Sequence, residues 1–226
     1  MAKTYSVAID GPAGAGKSTI ARRLAKELGY YYVDTGAIYR TVAYFFDLWG
    51  VSPKDLDGVN RYIDELTVQI EYDEEGVQHM IMNGMDVTAD IRTQDISQKA
   101  SLVSAHGVVR EVLLDMQRDV AKRHNVIMDG RDIGTVVLPK ADVKIFLTAS
   151  PEVRAKRRTD ELQAKGQTAV YEQILKEIQQ RDYQDTHREI APLKMARDSV
   201  KVDTSDMDIE TVVATIREIV GKKIPL

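Results

Sequence analysis

Cysteine is missing from all 226 residues, which removes disulfide scaffolding, thiolate metal sites and a cysteine nucleophile together. Aromatic residues are scarce at 6%, and none interleaves with the basic stretches, so no stacking platform for single-stranded nucleic acid is present. Positive charge is not in excess either. The 31 Lys and Arg are outnumbered by 35 Asp and Glu, and a net charge of −4 argues against a protein that coats a phosphate backbone. No apolar run approaches the roughly 18 residues of a membrane span. Residues 5–9, the first apolar stretch, are too few for a targeting signal. His79, His106, His124 and His187 show no metal-ligand spacing. Repeats and low-complexity tracts are also absent. What remains is a soluble, cytoplasmic protein without nucleic-acid or membrane partners, of a length that one sizeable core with elaborations accounts for.

What is present begins with a strand. Residues 5–9 read as a short buried strand ending at Asp10. Ile20, Ala21, Leu24, Ala25 and Leu28 then recur at helical spacing over 17–28, and Gly29 stops the helix. A second strand follows at 30–33 and a second helix at 36–49, ended by Gly50. Strand, helix, strand in this order is a βαβ unit, which requires a parallel sheet covered by helices.

Between residues 66 and 91 the period changes. Alternation over 67–72 and 77–82, a turn at Glu75-Gly76 and a hairpin signal at Asn83-Gly84 predict a small antiparallel sheet inserted into the parallel core. Helical periodicity returns over 94–123. Strands are predicted at 126–128, 143–147 and 199–202. Pro151 opens a helix to about residue 164, Gly166 breaks it, and helices are predicted over 170–186 and 209–220.

Gly11-Pro12-Ala13-Gly14-Ala15-Gly16-Lys17-Ser18 satisfies G-x-x-x-x-G-K-[ST], directly after a strand and opening a helix. In such a loop, glycines let backbone N–H groups turn inward around phosphate, and the following helix aims its positive end at the anion. Lys17 supplies a charge for the β/γ-phosphates and Ser18 a hydroxyl for Mg²⁺. No Asn-Lys-x-Asp guanine-reading motif occurs, which disfavours a GTPase.

Two further clusters lie at strand ends, where ligands of open α/β sheets bind. In Asp34-Thr35-Gly36-Ala37-Ile38-Tyr39-Arg40, Thr35 can cap the helix and contact a phosphate, with Arg40 one turn on; an N-capped helix with a surface arginine is the alternative. In Asp129-Gly130-Arg131-Asp132-Ile133-Gly134, Asp129 is placed to help hold Mg²⁺, while Arg131 and Asp132 project into the crevice; an ordinary turn is the alternative.

Together with Gln180–Arg188, these segments resemble the bacterial cytidylate kinases, in order and over almost the whole chain, including the antiparallel insert. The resemblance implies an α/β fold. A phosphate-loop parallel sheet is wrapped by helices, with a small antiparallel insert in the monophosphate-binding domain and a short helical lid. It implies a single domain over 1–226, with core 1–62 and 93–226, insert about 63–92 and lid about 154–168. The implied reaction moves a phosphoryl group from Mg·ATP to CMP or dCMP, in a monomer.

ATP would be bound by Gly11, Pro12, Ala13, Gly14, Ala15, Gly16, Lys17, Ser18 and Thr19, with the lid arginines Arg154, Arg157 and Arg158. Thr35, Arg40 and Arg131, with Arg188 nearby, would hold the CMP phosphate. Ser101, Arg110 and Asp132 would read cytosine, and Arg181 and Asp185 the sugar. Ser18 and Asp129 would hold the metal. The implied catalytic set is Lys17, Arg131, Asp132, Arg157 and Arg188. Without the resemblance, Arg154 to Arg158 also read as a solvated basic face, and Arg181, Asp185 and Arg188 as a surface ladder. Other acceptor kinases, and a non-catalytic nucleotide switch, remain the rival functions.

Overall fold

Val7 and Ile9 point to one face of the first strand and Ala8 to the other, and all three are wholly buried. A strand buried on both sides belongs in the middle of a helix-covered parallel sheet. The computed structural model, which describes residues 3–225, has that arrangement. Strands β1 (Ser6–Asp10), β2 (Tyr31–Asp34), β6 (Val126–Gly130), β7 (Val143–Thr148) and β8 (Val200–Asp203) form one parallel sheet in the order β2-β6-β1-β7-β8.

Helices cover both faces. Ile20 and Leu24 of α1 (Lys17–Leu28) pack with Val212, Ile216 and Val220 of α8 (Ile209–Gly221) against Val7, Ile9, Ile127 and Ile145. On the other face, α2 (Thr35–Leu48), α4 (Gln94–Val103) and α5 (Gly107–Arg123) bury Ile38, Phe45, Phe46, Ile96 and Leu113 against Ala8, Val33 and Met128. Each such side chain contributes roughly 1.5–3 kcal/mol relative to exposure. The helices α6 (Pro151–Ala164) and α7 (Tyr171–His187) pair over a separate small core of Ala155, Ile174 and Ile178.

The insert is antiparallel: β3 (Val68–Tyr72), β4 (Gln78–Met82) and a short β5 (Met85–Asp86) after the Asn83-Gly84 turn, where both residues adopt positive φ. Met80 and Met82 of β4 join the core beneath α2. The Tyr72 hydroxyl donates to the Tyr32 carbonyl on β2 at 3.1 Å. Gln78 accepts from the Asp34 N–H at 2.7 Å, so the insert grips the end of the edge strand directly.

Three local expectations change. The periodic stretch 94–123 is two helices, broken at residues 104–106, where the Ser104 hydroxyl donates to the Ser101 carbonyl and His106 bonds the Pro53 carbonyl. Periodicity continued across the break because both halves bury the same face. Residues 56–62 form a further helix, α3 (Leu56–Tyr62), capped by Asp55, that the apolar pattern did not reveal. Asp34, not Thr35, caps α2, accepting from the Ala37 N–H at 2.8 Å, while Thr35 already lies inside the helix.

On the insert, His79 sits between two carboxylates, 2.7 Å from Asp86 and 3.4 Å from Asp73. Its pKa is raised above the ordinary histidine value of 6.5 by those bonds, Asp86 first. A raised imidazole contributes stability that is complete below the unfolded value and lost as pH rises through the folded one. Melting curves of wild type and His79→Gln should therefore differ most below pH 6.5 and converge in alkaline buffer. A gap that does not change with pH would contradict the bridging role.

Candidate active site

Three strands reach the carboxyl edge of the sheet at one level, and the site is built there. Asp34 ends β2 beside Asp129, one residue before the end of β6, and Asp10 ends β1 one step further along. The loop from Gly11 to Gly16 leaves β1 so close to β7 that a Cβ on Gly11 would lie 1.9 Å from the Leu147 carbonyl oxygen. Gly16, at φ 87°, starts α1 without a side-chain cap, and no acidic residue occupies the first turn. The first N–H groups of α1 therefore remain available to an anion, at the positive end of the helix.

Lys17 is buried and its ammonium donates to the Pro12 carbonyl at 2.8 Å. Burial, then the Arg131 guanidinium, push its pKa far below the usual lysine value. An ammonium held at that cost is matched to an anion that would restore its charge. The Ser18 hydroxyl donates to Asp129 Oδ2 at 2.9 Å, and the Tyr32 hydroxyl to Oδ1 at 2.9 Å. Burial, with Asp34 beside it, raises the Asp129 carboxyl to about 6. A hydroxyl and a buried carboxylate short of positive charge form a hard-oxygen pair suited to Mg²⁺, which takes few protein ligands and fills its shell with phosphate oxygens and water. Among the described residues no cluster of three or more His, Cys, Asp or Glu could cage a metal unaided.

Beside the loop opens a cleft. All nine residues expected to bind the acceptor line it: Thr35, Arg40, Ser101, Arg110, Arg131, Asp132, Arg181, Asp185 and Arg188. The guanidiniums are set by carboxylates. Arg40 pairs with Asp34 at 3.0 Å and Arg131 with Asp185 at 2.7 Å. Burial opposes both charges of the second pair, yet Arg131 ends raised and Asp185 lowered because each faces the other. Asp132 receives Arg110 on one oxygen and Arg188, at 3.2 Å, on the other. Five guanidiniums against three carboxylates leave a positive surplus. The Nε atoms of Arg40 and Arg181 are buried without a partner, and burial followed by Arg131 lowers Arg181 to about 10. Unpaired buried donors in a cationic cleft call for an anion.

Sequence comparison now settles the family. The cytidylate kinase family model matches residues 7–222. The chain belongs to the cytidylate kinase family. It is 50% identical over 217 residues to the cytidylate kinase of Carboxydothermus hydrogenoformans, covering 96% of this chain and 97% of that protein. It is 47% identical over 220 residues to that of Shouchella clausii, covering 97% of each. A solved structure of an uncharacterized protein from Eubacterium ventriosum shares the fold at 12% identity, with a TM-score of 0.52, covering 96% of this chain and 99% of that one.

Within this family member the three lid arginines part company. Arg154 lies beneath the phosphate loop, donating to the Ala13 carbonyl at 3.0 Å, to the Ala149 carbonyl at 2.9 Å and, through both terminal nitrogens, to Asp182. Arg157 donates to the carbonyl and hydroxyl of Thr204, after β8. Arg158 faces outward, paired with Glu161. Arg154 thus touches the phosphate loop, while Arg157 and Arg158 are held by Thr204 and Glu161. Arg188, expected near the acceptor phosphate, lines the same cleft and bonds Asp132 and the Ser104 hydroxyl. Thr35 donates to the Asp129 carbonyl at 2.7 Å, joining the two strand-end clusters.

Several cleft or supporting residues escaped the sequence reading: Tyr39, Ser97 and Ser104 on the wall, and Asp10, Tyr32 and Gln78 behind it. Ser97 and Ser104 lie at helical or turn spacing from Ser101, a signal that could have found them.

Burial works against the Lys17 ammonium, so removing it relieves the fold while removing the cation from the loop. Lys17→Met is expected to melt no lower than wild type while phosphoryl transfer falls by ~10²-fold or more, a loss typical of one preorganised electrostatic contact. Calorimetry and a coupled ADP assay check both halves. A well-folded variant with near-normal turnover would contradict the placement of Lys17.

Proposed function

We propose that this member of the cytidylate kinase family transfers the γ-phosphoryl group of ATP directly to CMP or dCMP. The observation that carries the reading is the cleft itself. A cationic wall with unpartnered arginine donors faces the phosphate loop, and its inner end holds a carboxylate fixed by two arginines. An adenylate, uridylate or shikimate-type kinase would share the loop and differ in the acceptor.

Residues Gly11 to Thr19 wrap the triphosphate, and Lys17 neutralises the transferring group. Ser18 and Asp129 hold Mg²⁺, which when bound supplies charge neutralisation to the phosphates. Thr35, Arg40 and Arg131 hold the acceptor phosphate close to the loop, and Arg181 and Asp185 meet the sugar. The acceptor's phosphate oxygen is already anionic and needs no strong general base. Catalysis is then positioning and charge neutralisation. Water is kept out when the short lid, about residues 154–168, closes over the nucleotide, which releases Arg157 from Thr204 and brings Arg157 and Arg158 toward the phosphates.

Base choice follows from Asp132. A carboxylate accepts through roughly four lone-pair sites, of which the two arginines use two. Cytosine offers an amino donor where uracil offers a carbonyl, so the remaining sites attract the first and repel the second. Arg110 and Ser101 complement the acceptors of cytosine. Sites of this kind reject the wrong analogue by up to ~10⁴-fold.

An acceptor panel of CMP, dCMP, UMP, AMP and shikimate tests the reading. CMP and dCMP should dominate, and Asp132→Ala should lose activity and much of the preference over UMP. Equal use of UMP by wild type would turn the assignment toward a general pyrimidine monophosphate kinase. Because Gln78 ties the insert to Asp34, and Asp34 to Arg40, trimming the hairpin at Asn83-Gly84 should raise the KM for CMP far more than that for ATP. Equal effects on both would reduce the insert to a stabilising element.

A further inference from the structure

Residues Ile133–Val137, directly after Asp132, form a single π-helical turn. Such turns are rare and frequent at functional sites, and this one is supported from outside. Here the support comes from two charged side chains, one at each end. Asp10, 4% exposed at the end of β1, accepts the Ile133 N–H on Oδ1 and the Gly134 N–H on Oδ2, both at 2.7 Å. From α5, Arg118 donates to the carbonyls of Val136 and Val137, both at 3.0 Å. An anion meets the N–H end and a cation the C=O end, each matched to the partial charge exposed there. The fit of Asp10 leaves no space at Gly134, where a Cβ would lie 3.2 Å from Asp10 Oδ2 and from the Lys144 stem.

The Asp132 carbonyl is itself part of the turn, accepting from the Val136 N–H at 2.8 Å. Any shift of the turn therefore moves Asp132. Asp10 lies behind the wall, does not line the cleft, and has no part in the transfer described above.

We propose that Asp10 is a positioning residue for base selection, which acts through the Ile133–Val137 turn to fix the Asp132 carboxylate against the acceptor's base. This rests on the reading that Asp132 distinguishes cytosine from uracil. Burial raises the Asp10 carboxyl to about 6, so an ionised acceptor is kept there at a cost that a merely space-filling residue would not carry. Asparagine cannot replace it. With one acceptor oxygen, Asn satisfies one N–H and turns its own amide donors toward the other.

The test measures kcat/KM for CMP and for UMP, and the KM for ATP, in wild type, Asp10→Asn, Arg118→Gln and Asp132→Ala. Asp10→Asn should lower the CMP-to-UMP ratio by ~10-fold or more, within the ~10²-fold that a 1 Å misplacement can cost, with the KM for ATP unchanged. An unchanged ratio, or a loss spread equally over CMP, UMP and ATP, overturns the proposal. If Asp10→Asn does not fold, Arg118→Gln decides by the same criterion, since Arg118 touches neither the phosphate loop nor the cleft. Asp132→Ala separates the two levels. A ratio unmoved there refutes the base-reading role itself, whereas a ratio lost there and kept in Asp10→Asn refutes only the positioning role.

Discussion

The parallel register of β1, β2 and β6 brings three aspartates to one edge of the sheet, and the rest of the site depends on that alignment. Asp129 pairs in register with Ile9 on one side and Asp34 on the other, with Asp10 one step further along β1. Asp34 and Asp129 share a face and repel one another, Asp10 points to the opposite face, and burial raises Asp10 and Asp129 to about 6. The fold offsets that cost by giving each a separate partner: two backbone N–H groups for Asp10, the α2 N-terminus and Arg40 for Asp34, and two hydroxyls for Asp129. Each partner belongs to a different part of the site, so one strand alignment places the Ile133–Val137 turn, Arg40 and the Ser18–Asp129 pair together.

The same logic governs the arginines. Buried ion pairs seldom add net stability, because desolvation consumes most of the attraction. Their value here is geometric. Arg131 and Asp185 join β6 to α7, and Arg110, Asp132 and Arg188 join α5, the β6 turn and the end of α7. The cleft is thus closed by side chains that are already oriented, and the two unpartnered Nε atoms mark where it lacks an anion. Arg154 belongs to this framework as well, since its bonds run to the phosphate loop and to Asp182.

What could be read from the sequence was what local chemistry decides. The phosphate loop, the βαβ unit, the alternation of the insert and its Asn83-Gly84 turn are each set within a few residues, and the structure has them all. The strand-end clusters were also legible, because turns after parallel strands converge by topology. The remainder depends on distant partners. Asp10 meets Ile133 across 123 positions of sequence, Arg154 meets Ala13 across 141, and Arg157 meets Thr204 across 47. The break at residues 104–106 was hidden because α4 and α5 keep their apolar faces in phase. No periodicity reports a π-turn.

The central claim is that the cleft is already shaped for a cytosine nucleotide by carboxylate-fixed arginines. The most direct measurement is a crystal structure with CMP, Mg²⁺ and a non-hydrolysable ATP analogue. The account predicts the CMP phosphate between Arg40 and Arg131, facing Lys17 across the transferring group, and the cytosine amino group on Asp132 with Arg110 and Arg188 still in place. A base bound away from Asp132, or an acceptor phosphate outside the Arg40–Arg131 wall, would contradict it.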